Sequence, residues 1–491
     1  MRFSTLLEEA GLKPKACVGD ADITTICANS RKCSEKPGTL FVAIDGTSVN
    51  GHKFIPEACA SGAAAVVCRD SAGVPSGMPY AIVDDTREAA GLLAQAIYGW
   101  PARKLTCIAI TGTNGKSTTA HIIFKTLNDM GIPAGMLGTI TYETGARSIQ
   151  ARMTSPDAIY LAEMMAEMVQ SGLTHMVMET SSHAIDQKRI AGLQFQAAVF
   201  TNLTGDHLDY HLTMEEYFNA KAKLFENLSP DAFAVINRDD KYSEQLAQRT
   251  RAKILWYGLN PLADIRGLIK TIDADGTNFE LTANDRTTDV HTPLIGRHNV
   301  FNILAAIGAI QAIGIDPQHS IEKIASVRNI PGRLQRIETQ ADYKVFVDYA
   351  HTDDALANVL SALRPITPKR IIVVFGCGGD RDKTKRPRMA KVAQEYADVI
   401  VVTSDNPRSE EPLDIIRDIT AGFDQGHLSR VQIYPDRKQA IEQAINFADN
   451  GDIVLIAGKG HENYQIIKGL RNHFDDVEVA GAAVNMREKE Q

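Results

Sequence analysis

The chain of 491 residues contains no apolar run long enough to cross a bilayer. Its longest runs, IIVVF at 371–375 and IVLIA at 453–457, fall far short of the roughly 20 residues that a spanning helix needs. The opening MRFSTLLEEAGL carries two glutamates and lacks the apolar stretch of a secretory signal. No strongly basic stretch offsets the net charge of −8, which argues against a nucleic-acid partner and favours solubility. The seven cysteines, at 17, 27, 33, 59, 68, 107 and 377, are odd in number and have no zinc-ligand spacing. Reduced thiols in a cytoplasmic protein are therefore expected, with no membrane span, and a monomer is the expected state. No internal repeat or low-complexity tract is present.

What is present is enough chain for about three domains at roughly 100–200 residues each. Residues 1–98 hold turn-rich segments and a strand-like AAAVVC at 63–68. Trp100-Pro101 reads as a linker, because proline biases its predecessor away from helix. Residues 99–331 hold apolar strands at 104–111, 174–179 and 197–202, separated by helical stretches. An alternating segment at 253–296 precedes the helix-like GRHNVFNILAAIGAI, and Ile330-Pro331-Gly332 breaks the chain. Residues 332–491 alternate strand and helix, with strands at 343–348, 370–375, 397–402, 430–434 and 452–457. That alternation predicts a mostly parallel sheet with helices on both faces and ligands at the carboxyl ends of its strands. The fold class expected is α/β in three domains.

The most telling segment is KLTCIAITGTNGKSTTAHIIFKTL, 104–127. A short apolar strand enters the turn Thr111–Gly115, and a helix follows, with Ala120, Ile123, Phe124 and Leu127 on one face. A glycine turn feeding a helix N-terminus offers unpaired backbone N–H groups to an anion. Gly112, Thr113, Asn114, Gly115, Lys116, Ser117 and Thr118 are the candidate phosphate cradle, with Lys116 as a point charge and Ser117 as a Mg²⁺ ligand. The motif lacks the first glycine of the longer P-loop, since Ile110 stands there. A kinase or a nucleotide-driven motor fits poorly for that reason.

Further candidates sit at other strand ends. Glu179 closes HMVME where a metal-holding acid would stand, though a strand-end surface carboxylate reads the same way. In TNLTGDHLDYH (201–211), His207 is the choice for a contact to nucleotide-bound Mg²⁺; a helix cap is the alternative. Asn299 and Asn302 in GRHNVFN could face an adenine edge, and capping by Asn299 reads equally well. Arg333, past the Pro-Gly break, could reach a terminal phosphate. Lys221 in a short helical stretch reads as one more solvated lysine. In the last third, Arg381, Arg408 and Glu462 share one sheet edge and suit a zwitterionic amino acid, the guanidinium groups on a carboxylate and Glu462 on an ammonium. GCGG is half of a dinucleotide fingerprint and is weak evidence.

Together these segments resemble the Mur ligase family, and within it the diaminopimelate-adding members. The match runs through NSR with KPGTLFVAIDG, ITGTNGKST, METSSH, FTNLTGDHLDYH, AKAKLF, HNVFN, PGRLQ, DYAHTDDAL, FGCGGDRDKTKRP, SDNPRSEEP and AGKGHE. The resemblance implies a UDP-binding N-terminal domain, a central ATPase domain and a Rossmann-like C-terminal domain for the amino acid. It implies ATP and Mg²⁺ as cofactors. UDP-N-acetylmuramoyl-L-alanyl-D-glutamate and meso-diaminopimelate are the implied substrates, joined through an acylphosphate. By matching positions, Ser30, Thr47 and Ser48 would touch the UDP group, and Thr154, Ser155, Ser181, Gln187 and Arg189 the muramoyl-dipeptide. Glu179 and His207 would ligate Mg²⁺. Lys221 matches the family's carbamylated lysine, which reverses the bland reading of that residue: a CO2-derived carbamate could support a second Mg²⁺ where an ammonium would repel it.

Asp405, Asn406, Pro407 and Arg408 match the diaminopimelate mark DNPR, and Gly458 and Glu462 would complete that pocket with Arg381. Closure of the third domain would bring Arg333, Asp348 and His351 toward the nucleotide. The chain departs from the family pattern at Asn29 and Asn50, where Asp is usual or common, at Asp353 for proline, at His298 for phenylalanine, and at TSPD. Rival expectations are a lysine-adding or folylpolyglutamate-type ligase and, from another class, a nucleotide-gated binding protein without ligation.

Overall fold

In a computed structural model, residues 1–46, 49–205 and 208–490 are described. Thr47, Ser48 and His207, three of the candidate site residues, lie outside them. The chain separates into two compact units. One comprises Met1–Gly267, Thr282–Arg286 and Phe301–Ile324; the other comprises Leu268–Leu281, Thr287–Val300 and Ala325–Gln491.

The first unit begins with a five-stranded sheet in the order Ala16–Val18, Tyr80–Ile82, Ala65–Cys68, Thr39–Val42, Thr25–Cys27. Leu40, Val42, Ala65 and Val67 are fully buried there and pack with the helix Thr86–Ile97. Asp85 starts that helix by accepting the N–H groups of Arg87 and Glu88 at 2.9 and 3.1 Å. Asn29 and Asn50 each accept a backbone N–H, as a carboxylate would. Asn29 Oδ1 takes the Arg31 N–H at 3.1 Å and Asn50 Oδ1 the His52 N–H at 2.9 Å. All seven cysteines are free thiols.

The second sheet has eleven strands. From one edge they run Arg286–Thr292, Gly276–Ala283, Ile265–Asp273, Lys253–Gly258, Phe233–Asn237, Ala197–Phe200, Thr106–Thr111, His175–Glu179, Ala134–Leu137, Thr141–Glu143, Ser148–Gln150. Thr106–Thr111 is flanked on both sides by parallel neighbours, with Ile110 opposite Glu179 and Thr111 opposite Phe200. Three carboxyl ends thus finish level with one another, and an open α/β sheet collects ligands at such a place. The helix Lys116–Asp129 buries Ala120, Ile123 and Leu127 as the spacing predicts, but also Ile122, while Phe124 is only half-buried. Packing on more than one side explains the broader apolar surface. Lys221 lies on the helix Met214–Glu226, beside buried Phe218, Ala222 and Phe225.

The third sheet lies in the second unit, in the order Gln335–Ile337, Lys344–Asp348, Ile453–Ala457, Ile371–Phe375, Val399–Val402, Val431–Ile433. All pairings are parallel except that of Gln335–Ile337. Side chains alternate between two cores. Ile371, Val373 and Phe375 join Leu356, Met389 and Ile416 on one face; Ile372 and Val374 join Ile441, Ala480 and Val484 on the other. Each such aliphatic side chain contributes about 1.5–3 kcal/mol by leaving water. The sheet buried on both faces is what the near-continuous apolar strands foretell.

Candidate functional site

In the first unit the phosphate loop rises from the end of Thr106–Thr111. Gly112 has φ 149° and Gly115 φ 86°. A Cβ on Gly112 would stand 1.9 Å from Thr201 Oγ1, so only glycine fits. The loop is pinned by the end of the neighbouring strand. Thr201 Oγ1 donates to Asn114 O at 2.6 Å, Asn202 Oδ1 accepts the Asn114 N–H at 2.9 Å, and Thr113 N donates to Asn202 O at 2.9 Å. Thr201 and Asn202 were within a segment the sequence marks, but their hold on the loop is a cross-strand effect that no spacing announces. Lys116 Nζ donates to Gly112 O and Thr113 O at 3.0 and 2.8 Å.

Ser117 and Glu179 meet across the two strand ends. Ser117 Oγ donates to Glu179 Oε2 at 2.9 Å; Thr139 Oγ1 donates to the same oxygen at 3.0 Å and Thr139 N to Oε1 at 2.7 Å. Glu179 is buried, and Gly138 makes room for it: a Cβ there would come 2.5 Å from Oε1. Thr154, Ser155, Ser181, Gln187 and Arg189 form one connected network beside it. Thr139 Oγ1 bonds Thr154 Oγ1 at 3.1 Å and Ser155 Oγ donates to Glu179 O at 2.9 Å. Ser181 N donates to Ser155 Oγ at 3.0 Å, and Arg189 donates to Ser155 O at 2.9 Å and to Gln187 Oε1 at 2.7 Å.

Lys221 is 1 % exposed, against the sequence expectation of a solvated lysine. Its Nζ donates to Gly112 O at 2.9 Å and lies 4.6 Å from the Tyr217 ring centre. Tyr217 in turn contacts Thr113 Oγ1 at 3.3 Å. Asn302 places Oδ1 3.4 Å from Thr119 Oγ1, under the helix start, and a Cβ on Gly115 would come 2.4 Å from that atom. Thr118 is buried in the first turn. Ser30 stands in the N-terminal sheet region and donates to Glu57 at 3.0 Å.

In the second unit the loops that follow Lys344–Asp348, Ile453–Ala457, Ile371–Phe375 and Val399–Val402 leave adjacent strands, and they are cross-linked. Gly379 N donates to Asn406 O at 2.9 Å, Arg408 Nη1 to Gly379 O at 2.7 Å, and Ser409 Oγ to Asp380 at 2.6 Å. Arg408 has φ 53°, a left-handed conformation that costs a non-glycine residue about 1–2 kcal/mol. The backbone holds it there, with Arg408 N on Ile466 O at 2.9 Å and Lys468 N on Arg408 O at 2.7 Å. Pro407 O accepts the Glu410 N–H at 3.0 Å. Arg381 is exposed on the next loop, donating to Asp380 O at 3.3 Å. Asn406 Nδ2 donates to Glu462 Oε2 at 2.8 Å, and Gly458, with φ 120°, donates its N–H to Asp348 O at 3.0 Å.

Lys459 and Arg437 are among the buried cations here that escaped the sequence reading, as is Arg386, which pairs with Glu410 at 2.9 Å. Lys459 Nζ lies 3.3 Å from Asn406 Oδ1, 3.4 Å from Glu462 Oε2 and 3.5 Å from Asp405 Oδ1. Arg437 pairs with Asp476, both fully buried, and donates to Ser404 O at 3.3 Å and Ala457 O at 3.1 Å. The signal for Lys459 was a lone lysine between glycines after an apolar strand; for Arg437 there was none.

Arg333, Asp348 and His351 are brought close together. Asp348 accepts N–H groups from Leu334 and Ala350 at 2.7 and 2.8 Å, and Arg333 lies 5.2 Å from the Tyr349 ring. Burial pushes the Asp348 carboxyl up, against the opposing pull of Arg333 and these N–H groups. Burial pulls His351 down and, with repulsion from Arg333 and His351, takes His461 to about 4. Asn299, in the first turn of the helix Arg297–Ala312, donates Nδ2 to Ile295 O at 2.9 Å and lines a cavity of about 450 Å³ with Leu294, Arg333, Leu334 and Phe346.

Known proteins match this arrangement along the whole chain. Residues 22–98 match the family model "Mur ligase family, catalytic domain", residues 110–310 the Mur ligase middle domain, and residues 332–460 the "Mur ligase, glutamate ligase domain". The chain belongs to the Mur ligase family. A Parabacteroides distasonis protein named UDP-N-acetylmuramoyl-L-alanyl-D-glutamate–2,6-diaminopimelate ligase is 44 % identical over 462 residues, 94 % of each chain. One of the same name from Gloeobacter violaceus is 44 % identical over 489 residues, 99 % of each. A solved structure of such a ligase superposes with a TM-score of 0.69 at 33 % identity, covering 95 % of both chains. The MurF ligase of Thermotoga maritima in complex with ADP, 18 % identical with a TM-score of 0.64 over 94 % of this chain and 98 % of its own, shares the fold. The α/β fold in three Mur ligase domains is thus as the sequence implies. No helix among the described residues is long and apolar enough to cross a membrane.

Proposed function

We propose that this Mur ligase uses ATP to join meso-diaminopimelate to the D-glutamate of UDP-N-acetylmuramoyl-L-alanyl-D-glutamate, in the cytoplasm, as a monomer with segments 1–98, 99–331 and 332–491 as its domains. One observation carries the substrate choice: Arg408 is locked in a left-handed conformation beside Asn406 and Glu462, so cationic and anionic groups share one pocket edge. The full-length identity to ligases of that name supports the same reading.

The γ-carboxylate of D-glutamate attacks the γ-phosphate of ATP, ADP leaves, and an acylphosphate forms. The phosphate loop Gly112–Thr118 holds the phosphates by its N–H groups, and Lys116 swings its ammonium from its own loop carbonyls to the oxygens that gain charge. Thr154, Ser155, Ser181, Gln187 and Arg189 orient the acid beside Glu179, and Ser30, Thr47 and Ser48 hold the UDP. The diaminopimelate amine, released from its proton, then attacks the acyl carbon, and phosphate departs. Arg408 and Arg381 take the distal carboxylate while Asp405, Asn406, Pro407, Gly458 and Glu462 complete the pocket. Arg333, Asp348 and His351 serve the phosphate, and Asn299 and Asn302 the adenine side of ATP.

The donor chemistry of Ser117 and Glu179, two hard oxygens 2.9 Å apart, fits Mg²⁺; by the family match alone His207 would be a further ligand. Bound there, Mg²⁺ would neutralise phosphate charge. Lys221 fits a carbamate: its Nζ would keep one N–H for Gly112 O while CO2 turns a buried cation into an anion. Mass analysis of the product from ATP, Mg²⁺, the UDP-dipeptide and each of diaminopimelate, lysine and glutamate tests the proposal. A tripeptide product with diaminopimelate is expected. Product with lysine alone would favour the lysine-adding reading, and ATP binding without any amide would favour the binding protein.

A further inference from the structure

We propose that Lys459 is a positioning residue for the incoming amino acid, a role that rests on reading this edge as the amino-acid pocket. Its ammonium gathers Asp405, Asn406 and Glu462 into one unit that keeps a single uncompensated negative charge for a substrate ammonium group.

Lys459 is 0 % exposed, and a lysine is seldom buried unless paired. Its three contacts fall between 3.3 and 3.5 Å, so the cation is shared rather than committed to one partner. The Tyr464 ring centre, 5.5 Å away, adds a weak cation–π contact. Asn406 is fixed from both ends: its Oδ1 takes the Ile466 N–H at 2.9 Å as well as facing Lys459, which turns Nδ2 to Glu462. Asp405 Oδ1 is buried and accepts no hydrogen bond among the described residues, so the Lys459 ammonium at 3.5 Å is the charge that faces it. Two carboxylates beside one ammonium leave one negative charge, matched to one amine. Without Lys459, Asp405 and Glu462 would repel each other, and the geometry that Asn406 shares with them would open.

The test is K459M, which keeps length and removes charge. KM for diaminopimelate should rise roughly 30-fold or more, as when one partner of a buried charge pair is lost. The KM values for ATP and the UDP-dipeptide, and kcat at saturation, should stay within about threefold. K459R should bring most of the KM back. An unchanged KM for diaminopimelate, no recovery in K459R, or an equal rise in all three KM values with a lowered Tm would overturn the proposal. Should K459M fail to fold, E462Q/K459M removes a charge of each sign. Its loss should be smaller than the product of the E462Q loss and 30-fold, and a fully multiplicative loss would overturn the proposal. The unsubstituted chain separates the two readings. If it ligates a different amino acid, the diaminopimelate assignment falls, and K459M is then judged by the same KM split on that amino acid.

Discussion

Removing the carboxylate of Asp476 should loosen the amino-acid pocket from behind. Asp476 Oδ1 and Oδ2 accept from Arg437 Nε at 2.7 Å and Nη2 at 2.6 Å, and neither side chain reaches solvent. In D476A the guanidinium keeps only its bonds to Ser404 O and Ala457 O and has lost its counter-charge. Breaking a buried pair by removing one partner costs about 3–5 kcal/mol, roughly two to nearly four decades in an opening equilibrium. A chain of several domains has no single unfolding free energy. Native-state hydrogen exchange of the amides in Ile453–Ala457 and Asp476–Glu490 is therefore the assay. Protection there should fall by those decades, while the amides of Thr106–Thr111 keep theirs. Ser404 and Ala457 directly precede Asp405 and Gly458, so KM for the amino acid should rise as well. The double variant R437M/D476L, apolar on both sides, should regain at least half the lost protection, since a packed apolar pair can replace a buried ion pair. Protection in D476A within a factor of ten of wild type would refute the reasoning, as would a double variant no better than D476A.

E179Q keeps an acceptor for Ser117 and Thr139 but loses a charge, and the Mg²⁺ concentration for half-maximal phosphate release should rise about tenfold or more. In R408N, where Asn tolerates the left-handed backbone, kcat/KM should fall on the order of 10²-fold or more for diaminopimelate and stay level for lysine in a competition assay. K221A should lose on the order of 10²–10³ in product formation, and added short carboxylic acids should restore part of it; full activity would remove the carbamate. His461 has a folded value of about 4 against an ordinary 6.5. The unfolded chain therefore binds more protons in that window, and stability is full above 6.5 and falls as pH drops toward 4. H461Q should flatten that acid slope in urea titrations of the second unit's amides.

Local chemistry was legible. The phosphate loop needs glycine at Gly112 and Gly115 and a cation directly after, and these are neighbours in sequence. The four inner strands of the third sheet announced themselves because both faces are buried, which leaves no polar alternation to confuse; the half-exposed edge strand Gln335–Ile337 did not. Lys221 was different: a lysine on a helix is solvated by default, and only the packing of Met214–Glu226 beneath Gly112 buries it. The resemblance to a family, not the residue pattern, marked it. Arg408 read as a carboxylate-binding candidate, but its positive φ, held by two backbone bonds to the 466–468 segment, had no signal in the sequence.

The sequence by itself determined which segments become strand, loop and helix, and which loops carry glycine, cation and acid, because those preferences act over a few residues. Only the tertiary structure decided that Glu179 meets Ser117, that Lys459 sits between Asp405 and Glu462, and that Arg437 finds Asp476. Strand order sets these meetings across tens of residues. Burial then turns ordinary charges into paired ones, since a charge removed from water must find a partner.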